Sequence, residues 1–214
     1  MRPFRQLMPE YTRPVVEARQ FPDEAGAVIG YGKRWDGSPP DDSYSRVSNP
    51  KRFAPLQDIA DALIEHLRLT YLTDVAALEH STPDTAKLIA VTPEHLDAAP
   101  LVFRFTNFPG VEIRAGVRYR EAFPFCGCDA CDETWGDAAD EMERLVFAVS
   151  DGRFSERIVF AKGDSATVEH RVESAGQRGR GGSIQHGVQI DSELLADAVR
   201  LDRLPNGRWQ AWGR

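Results

Sequence analysis

The pattern of apolar and polar positions is clearest from Leu56 onward. Leu56, Ile59, Ala60, Leu63, Leu67 and Tyr71 fall at helical spacing, with Asp58, Asp61, Glu65 and Arg68 on the other faces. This predicts a helix from Leu56 to about Tyr71, with an extension towards His80 left open. Ser81-Thr82-Pro83-Asp84 reads as a loop, and Thr92-Pro93-Glu94 as a short helical turn stopped by Pro100. Leu101 to Phe105 is a strand, Asn107-Phe108-Pro109-Gly110 a turn, and Val111 to about Phe123 a return strand. In that return strand Val111, Ile113, Ala115, Val117 and Tyr119 alternate with Glu112, Arg114, Gly116, Arg118 and Arg120, so one face packs and the other is wet.

A second helix is predicted over roughly Ala130 to Val149 and ends at Asp151-Gly152. A second strand pair comes next, Phe154 to Ala161 and Ala166 to Val172, joined by a Lys162-Gly163-Asp164 turn. Gly176 to Gly182 reads as a Gly/Arg-rich loop. A third helix runs from about Ser192 to Leu201 with Asp191 as its N-cap, and Arg208 to Trp212 forms a last short strand. Residues 1–55 are broken by Pro and Gly yet rich in aromatics. They read as an irregular N-terminal layer with a mobile loop near 36–42, wrapped on a core spanning 56–214. The expected architecture is a single α+β domain, its helices packed on a largely antiparallel sheet built from two hairpins.

Composition narrows the function classes. The 214 residues carry a formal charge of −7, which disfavours general nucleic-acid binding. No apolar run approaches the length of a membrane span, and the N-terminus leads into no apolar segment, so neither a membrane role nor a secretory signal is expected. The expectation is a cytoplasmic protein. Its basic residues are 22 Arg and 4 Lys, a bias that fits a GC-rich bacterial genome.

All 3 Cys lie in Phe125-Cys126-Gly127-Cys128-Asp129-Ala130-Cys131-Asp132-Glu133. Three readings compete. In the first, Cys126, Cys128 and Cys131 are ligands of a zinc ion, although no second CxxC supplies the usual fourth ligand, and nothing in the sequence brings His170 or His186 close. In the second, Cys128-Asp129-Ala130-Cys131 is a redox dithiol at a helix start, opposed by its acidic neighbours. In the third, the thiols are structural. Cys131, Trp135, Ala138, Met142, Leu145 and Val149 form one helical stripe, Asp129 caps the helix, and Asp132 and Glu133 sit in its first turn. The local signals favour the third reading, under which no cofactor is expected. A deaminase-type zinc site is excluded because His66, His80 and His95 are followed two residues later by Arg68, Thr82 and Asp97, never by Glu.

Other charged groups offer surfaces rather than chemistry. Arg114 and Arg118 on the wet strand face, with Arg178 and Arg180 in the Gly-rich loop, are candidate anion-binding residues. The bland alternative is pairing with cross-strand acids. Seven acids between Asp129 and Glu143 make a candidate cation site or a docking face for a basic partner, with a solvated helix face as the favoured alternative.

The string from Tyr44 to Phe53, the Pro100-Leu101 hairpin start, Phe108-Pro109-Gly110 and Cys126-Gly127-Cys128-Asp129-Ala130-Cys131-Asp132-Glu133 together resemble an actinobacterial domain family of unknown function. The resemblance extends from roughly Gly30 to Trp212. It implies a single-domain bacterial protein and transfers no activity, ligand or catalytic residue. The functional expectation is a non-enzymatic binding or interaction domain that takes a protein partner or a small anionic ligand. The alternatives are a zinc or thiol-redox protein and, by analogy with small acidic proteins, a toxin-neutralising one.

Overall fold

The computed structural model describes residues 10–17, 19–161, 165–173 and 180–214. Helix α1 (Pro55–Thr70) buries Leu56, Ile59, Ala60, Leu63 and Leu67, the predicted stripe. It stops at Thr70, where Tyr71 turns extended. Beyond it the chain enters strand β1 (Thr73–Ala77) instead of continuing as helix, and β1 pairs antiparallel with β2 (Thr85–Pro93). The sequence hides β2. Its four central residues, Lys87–Ala90, are all half-buried, so no period-2 alternation marks it.

Strands β3 (Leu101–Thr106), β4 (Val111–Ala115) and β5 (Tyr119–Phe123) complete a five-stranded antiparallel meander in chain order. The predicted return strand is therefore two strands, folded back at Gly116 (φ 63°), with Ala115 opposite Tyr119 and Arg114 opposite Arg120. A three-residue turn preserves parity, so alternation reads straight through it. Periodicity alone cannot distinguish one long strand from this hairpin.

Helix α2 (Trp135–Ser150) buries Ala138, Met142, Leu145 and Val149, as the stripe requires. Its start differs from the predicted one. Thr134 is the N-cap, its hydroxyl accepting the Asp137 N–H at 3.0 Å, and Asp132 sits in the left-handed region at φ 49°. The helix cannot run back through Asp132, so Asp129 is not its cap and Cys131 is not on its stripe. Thr134→Ala is expected to cost about 1 kcal/mol. The urea midpoint reads this out, and an unchanged midpoint would deny the cap a role.

A second antiparallel sheet contains β6 (Phe154–Phe160), β7 (Ser165–Glu173) and β8 (Arg180–Gln189). The end of the predicted Gly/Arg loop is thus a strand, with Gly182 opposite Arg171 and Ser183 opposite His170. A Cβ at Gly182 would lie 2.9 Å from the His170 carbonyl oxygen, an approach that glycine allows. The predicted Lys162-Gly163-Asp164 turn and residues 176–179 lie outside the described residues. Helix α3 (Ser192–Leu201) matches the prediction, with the Asp191 carboxylate accepting the Leu194 N–H at 2.7 Å. Arg208 to Trp212 forms isolated bridges rather than a strand, and buries Trp209 and Trp212. No described helix is long and apolar enough to cross a membrane.

One core joins α1, α2 and the inner faces of both sheets through Leu63, Phe103, Ile113, Leu145 and Phe154. The architecture is α+β, with two antiparallel sheets where a single sheet was expected. A buried carboxylate ties the pieces together. Glu156 of β6 accepts the N–H groups of Val117 (2.9 Å), Arg118 (2.8 Å) and Tyr119 (3.0 Å) in the Gly116 turn, and the Trp209 indole N–H (2.9 Å). Burial pushes this carboxyl upward, and these donors pull it back.

Candidate metal centre

Between β5 and α2 the chain folds into a tight loop that carries all three cysteines. It leaves β5 through a cis Phe123–Pro124 peptide and turns at Gly127, where a Cβ would lie 2.8 Å from the Phe108 ring. The three Sγ atoms lie within 4.8 Å of one another, and Cys126 and Cys128 are 3.3 Å apart. All three are free thiols. Cys126 and Cys128 are half-buried, and Cys131 is exposed. This corrects the structural reading of the cysteines: an exposed Cys131 ahead of the helix is not a core residue.

The loop is clamped by the N-terminal layer through Asp129, which is fully buried. One Asp129 carboxylate oxygen accepts the Ser48 N–H at 2.8 Å, and the other accepts the Ser48 hydroxyl at 2.7 Å and the Arg46 Nε–H at 3.1 Å. The guanidiniums of Arg34 and Arg52 stand 3.6 and 3.8 Å away. Burial alone would raise this carboxyl. The Ser48 hydroxyl and N–H, with the Arg34 charge and the Arg46 hydrogen bond, hold it below its ordinary value. The backbone is pinned as well. Arg34 and Trp35 donate to the Asp129 carbonyl at 2.7 and 3.1 Å, Arg52 to the Gly127 carbonyl at 3.0 Å, and the Asp129 and Ala130 N–H groups reach the Arg46 and Ser43 carbonyls. Asp132 and Glu133, placed by sequence in a first helical turn, serve the loop instead. Asp132 accepts the Arg34 N–H at 2.9 Å, and Glu133 accepts the Phe125 and Cys126 N–H groups at 3.1 and 2.9 Å.

The thiols differ electrostatically. The Cys131 backbone N–H, with the Cys126 thiol second, draws Cys128 below the ordinary thiol value. Cys131 faces the Cys126 and Cys128 sulfurs and is pushed up to about 12. The thiolate is thus favoured at Cys128 and disfavoured at Cys131, where a cation between the sulfurs would offset the repulsion. Tetrahedral zinc with Zn–S bonds of about 2.3 Å sets its sulfurs about 3.8 Å apart, so these three atoms are near three corners of such a site. Among the described residues no His or carboxylate joins them within the same radius.

The remaining predicted residues lie elsewhere. Arg114 and Arg120 approach one oxygen of Glu112 at 3.5 and 3.6 Å, while Arg104 takes the other at 3.2 Å. Arg118 in the Gly116 turn bonds Asp197 of α3. Arg180 is the first residue of β8, and Arg178 lies outside the described residues. On the acidic helix, Arg13 bonds Asp140 and Glu143, so part of that face is already occupied. His170 sits on β7 with Nε2 at 3.6 Å from Glu156, not beside the thiols. Sequence reasoning missed the clamp of Arg34, Arg46, Ser48 and Arg52, and no local signal marks it. It also missed Glu156, for which a signal existed: an acid between Phe154 and Ile158 on the packed face of a strand.

A family model described as a family of unknown function (DUF6226) matches residues 17–214. No curated protein and no solved structure matches the chain.

Proposed function

This chain belongs to that family of unknown function, and from the geometry of its thiol loop we propose that it is a metal-thiolate protein that binds one zinc ion through Cys126, Cys128 and Cys131. The observation that carries the reading is the convergence of three sulfurs within 4.8 Å on a loop fixed by a buried carboxylate. Soft thiolates select zinc or copper(I) over hard cations. Three protein ligands leave a fourth position for water or for a donor from a partner, and the exposure of Cys131 gives that donor a path. The role is binding rather than catalysis: no His or carboxylate among the described residues lies within the sulfur cluster to move a proton.

A second reading rests on the 3.3 Å approach of Cys126 and Cys128, which suits a dithiol that closes to a disulfide. Cobalt(II) titration of the reduced, untagged chain separates the two. Zinc binding predicts intense sulfur-to-cobalt charge-transfer absorption saturating at one ion per chain. Each single Cys→Ser change is expected to weaken uptake by roughly 100-fold or more, beyond what lost outer-shell partners cost. No charge-transfer band, together with rapid closure of a Cys126–Cys128 disulfide under glutathione disulfide, would overturn the metal reading.

A further inference from the structure

We propose that the cleft between the β4–β5 hairpin and the second sheet binds the phosphate group of a small molecule, with Arg114 and Arg120 as its ligands. The cleft has a volume of about 520 Å³, within the range of small-ligand sites. Arg114, Arg118 and Arg120 line it against a single lining carboxylate, Glu193. Arg118 is matched by Asp197 and by Glu193 at 3.9 Å, so the incompletely paired charge of the cleft is that of Arg114 and Arg120.

The pairing of these residues is unfinished. Arg114 and Arg120 stand directly opposite each other across the β4–β5 ladder, an arrangement that like charges disfavour. Their common partner is one oxygen of Glu112, at 3.5 and 3.6 Å. Charge-assisted hydrogen bonds are shorter, about 2.7–2.9 Å, so neither contact is a full one. Glu112 gives its other oxygen to Arg104, which also reaches Asp84 at 3.3 Å. Each guanidinium has five N–H donors in a planar fork that fits phosphate oxygens. The side chains of Arg114 and Arg120 are 50% and 58% exposed, so a ligand can reach both guanidiniums.

Arg118 has a different part. Its Nε bonds Asp197, and this holds the hairpin turn against α3 at the mouth of the cleft. Arg118 therefore positions the site. Ser183 and Gln185 of β8 add neutral hydrogen-bonding groups, and Val117 and Val188 an apolar wall. His170 is buried beneath. A basic cleft this small on an acidic molecule suits a compact anion. An extended polyanion would also meet the net negative charge of the chain.

Calorimetric titration with inorganic phosphate, at low ionic strength and up to about 10 mM, tests the assignment, because a millimolar site saturates in that range. The expected result is saturable binding of one phosphate per chain. Arg114→Gln and Arg120→Gln are each expected to weaken it by about tenfold, the effect of one charged hydrogen bond. The double variant should show no saturation, and Arg68→Gln on α1 should bind like the wild type. Both substituted positions are exposed, and an unchanged melting curve verifies the fold. The assignment is overturned if wild type does not saturate, if the double variant binds as wild type does, or if Arg68→Gln loses as much. Tighter binding of a single-stranded oligonucleotide through the same two arginines would overturn the small-molecule assignment.

Discussion

Glu156→Ala is expected to destabilise the fold by about 4 kcal/mol or more, because it orphans four buried N–H donors. The carboxylate has essentially no exposed surface and uses both oxygens twice. Without it, three backbone N–H groups of the Gly116 turn and the Trp209 indole lose their acceptor. Each orphaned donor costs about 1–3 kcal/mol where water cannot reach it. Glu156→Gln keeps the shape but is expected to do little better, because its NH₂ must face two of the four donors. The turn leaves no alternative, since a Cβ at Gly116 would meet the Glu156 Oε2 at 1.9 Å. Urea unfolding at constant m-value measures the loss. A cost below about 1 kcal/mol for Glu156→Ala would mean that the turn and the second sheet are held by apolar packing alone.

Asp129→Asn is the second large expectation, and it joins stability to function. The amide can keep one bond to Ser48, but it cannot neutralise Arg46, Arg34 and the buried Arg52. The expected stability loss is about 3 kcal/mol, as for one partner removed from a buried pair. Zinc affinity, read by competition with a chelator, is expected to fall about 10- to 100-fold, the cost of losing an outer-shell support. The pH dependence has a defined sign. Asp129 titrates below its ordinary value in the fold, so its contribution is complete above that value and fades as pH falls through the depressed one. The variant should lack that acid-side decline. Full zinc affinity in Asp129→Asn would show that the clamp serves stability and not the metal site.

Elements with one buried face were legible in the sequence: α1, α3, β3, β6 and β7 lie close to where periodicity puts them. The start of α2 was not. Asp129 and Thr134 are both good caps, and the acids after Asp129 imitate a first helical turn. The left-handed Asp132 that separates the two cases is a property of the folded loop. Strands β1, β2 and β8 carry little alternation and exist through pairing with distant partners, which local patterns do not encode. The three thiols were legible as a group because they are adjacent in sequence. Their exposure was not, because it depends on where α2 begins. The clamp comes from residues about 80 positions away, joined to Asp129 by ionic and hydrogen bonds that leave no periodic trace.

Whether the three cysteines hold a metal ion is tested most directly by elemental analysis of the untagged chain, purified without chelator, beside thiol titration before and after chelator treatment. The expected result is one zinc per chain, with thiols shielded until the ion is removed and all three then reactive in the native state. A metal-free chain that takes up no added zinc, with its thiols reacting at the same rate with and without chelator, would contradict a metal-thiolate role.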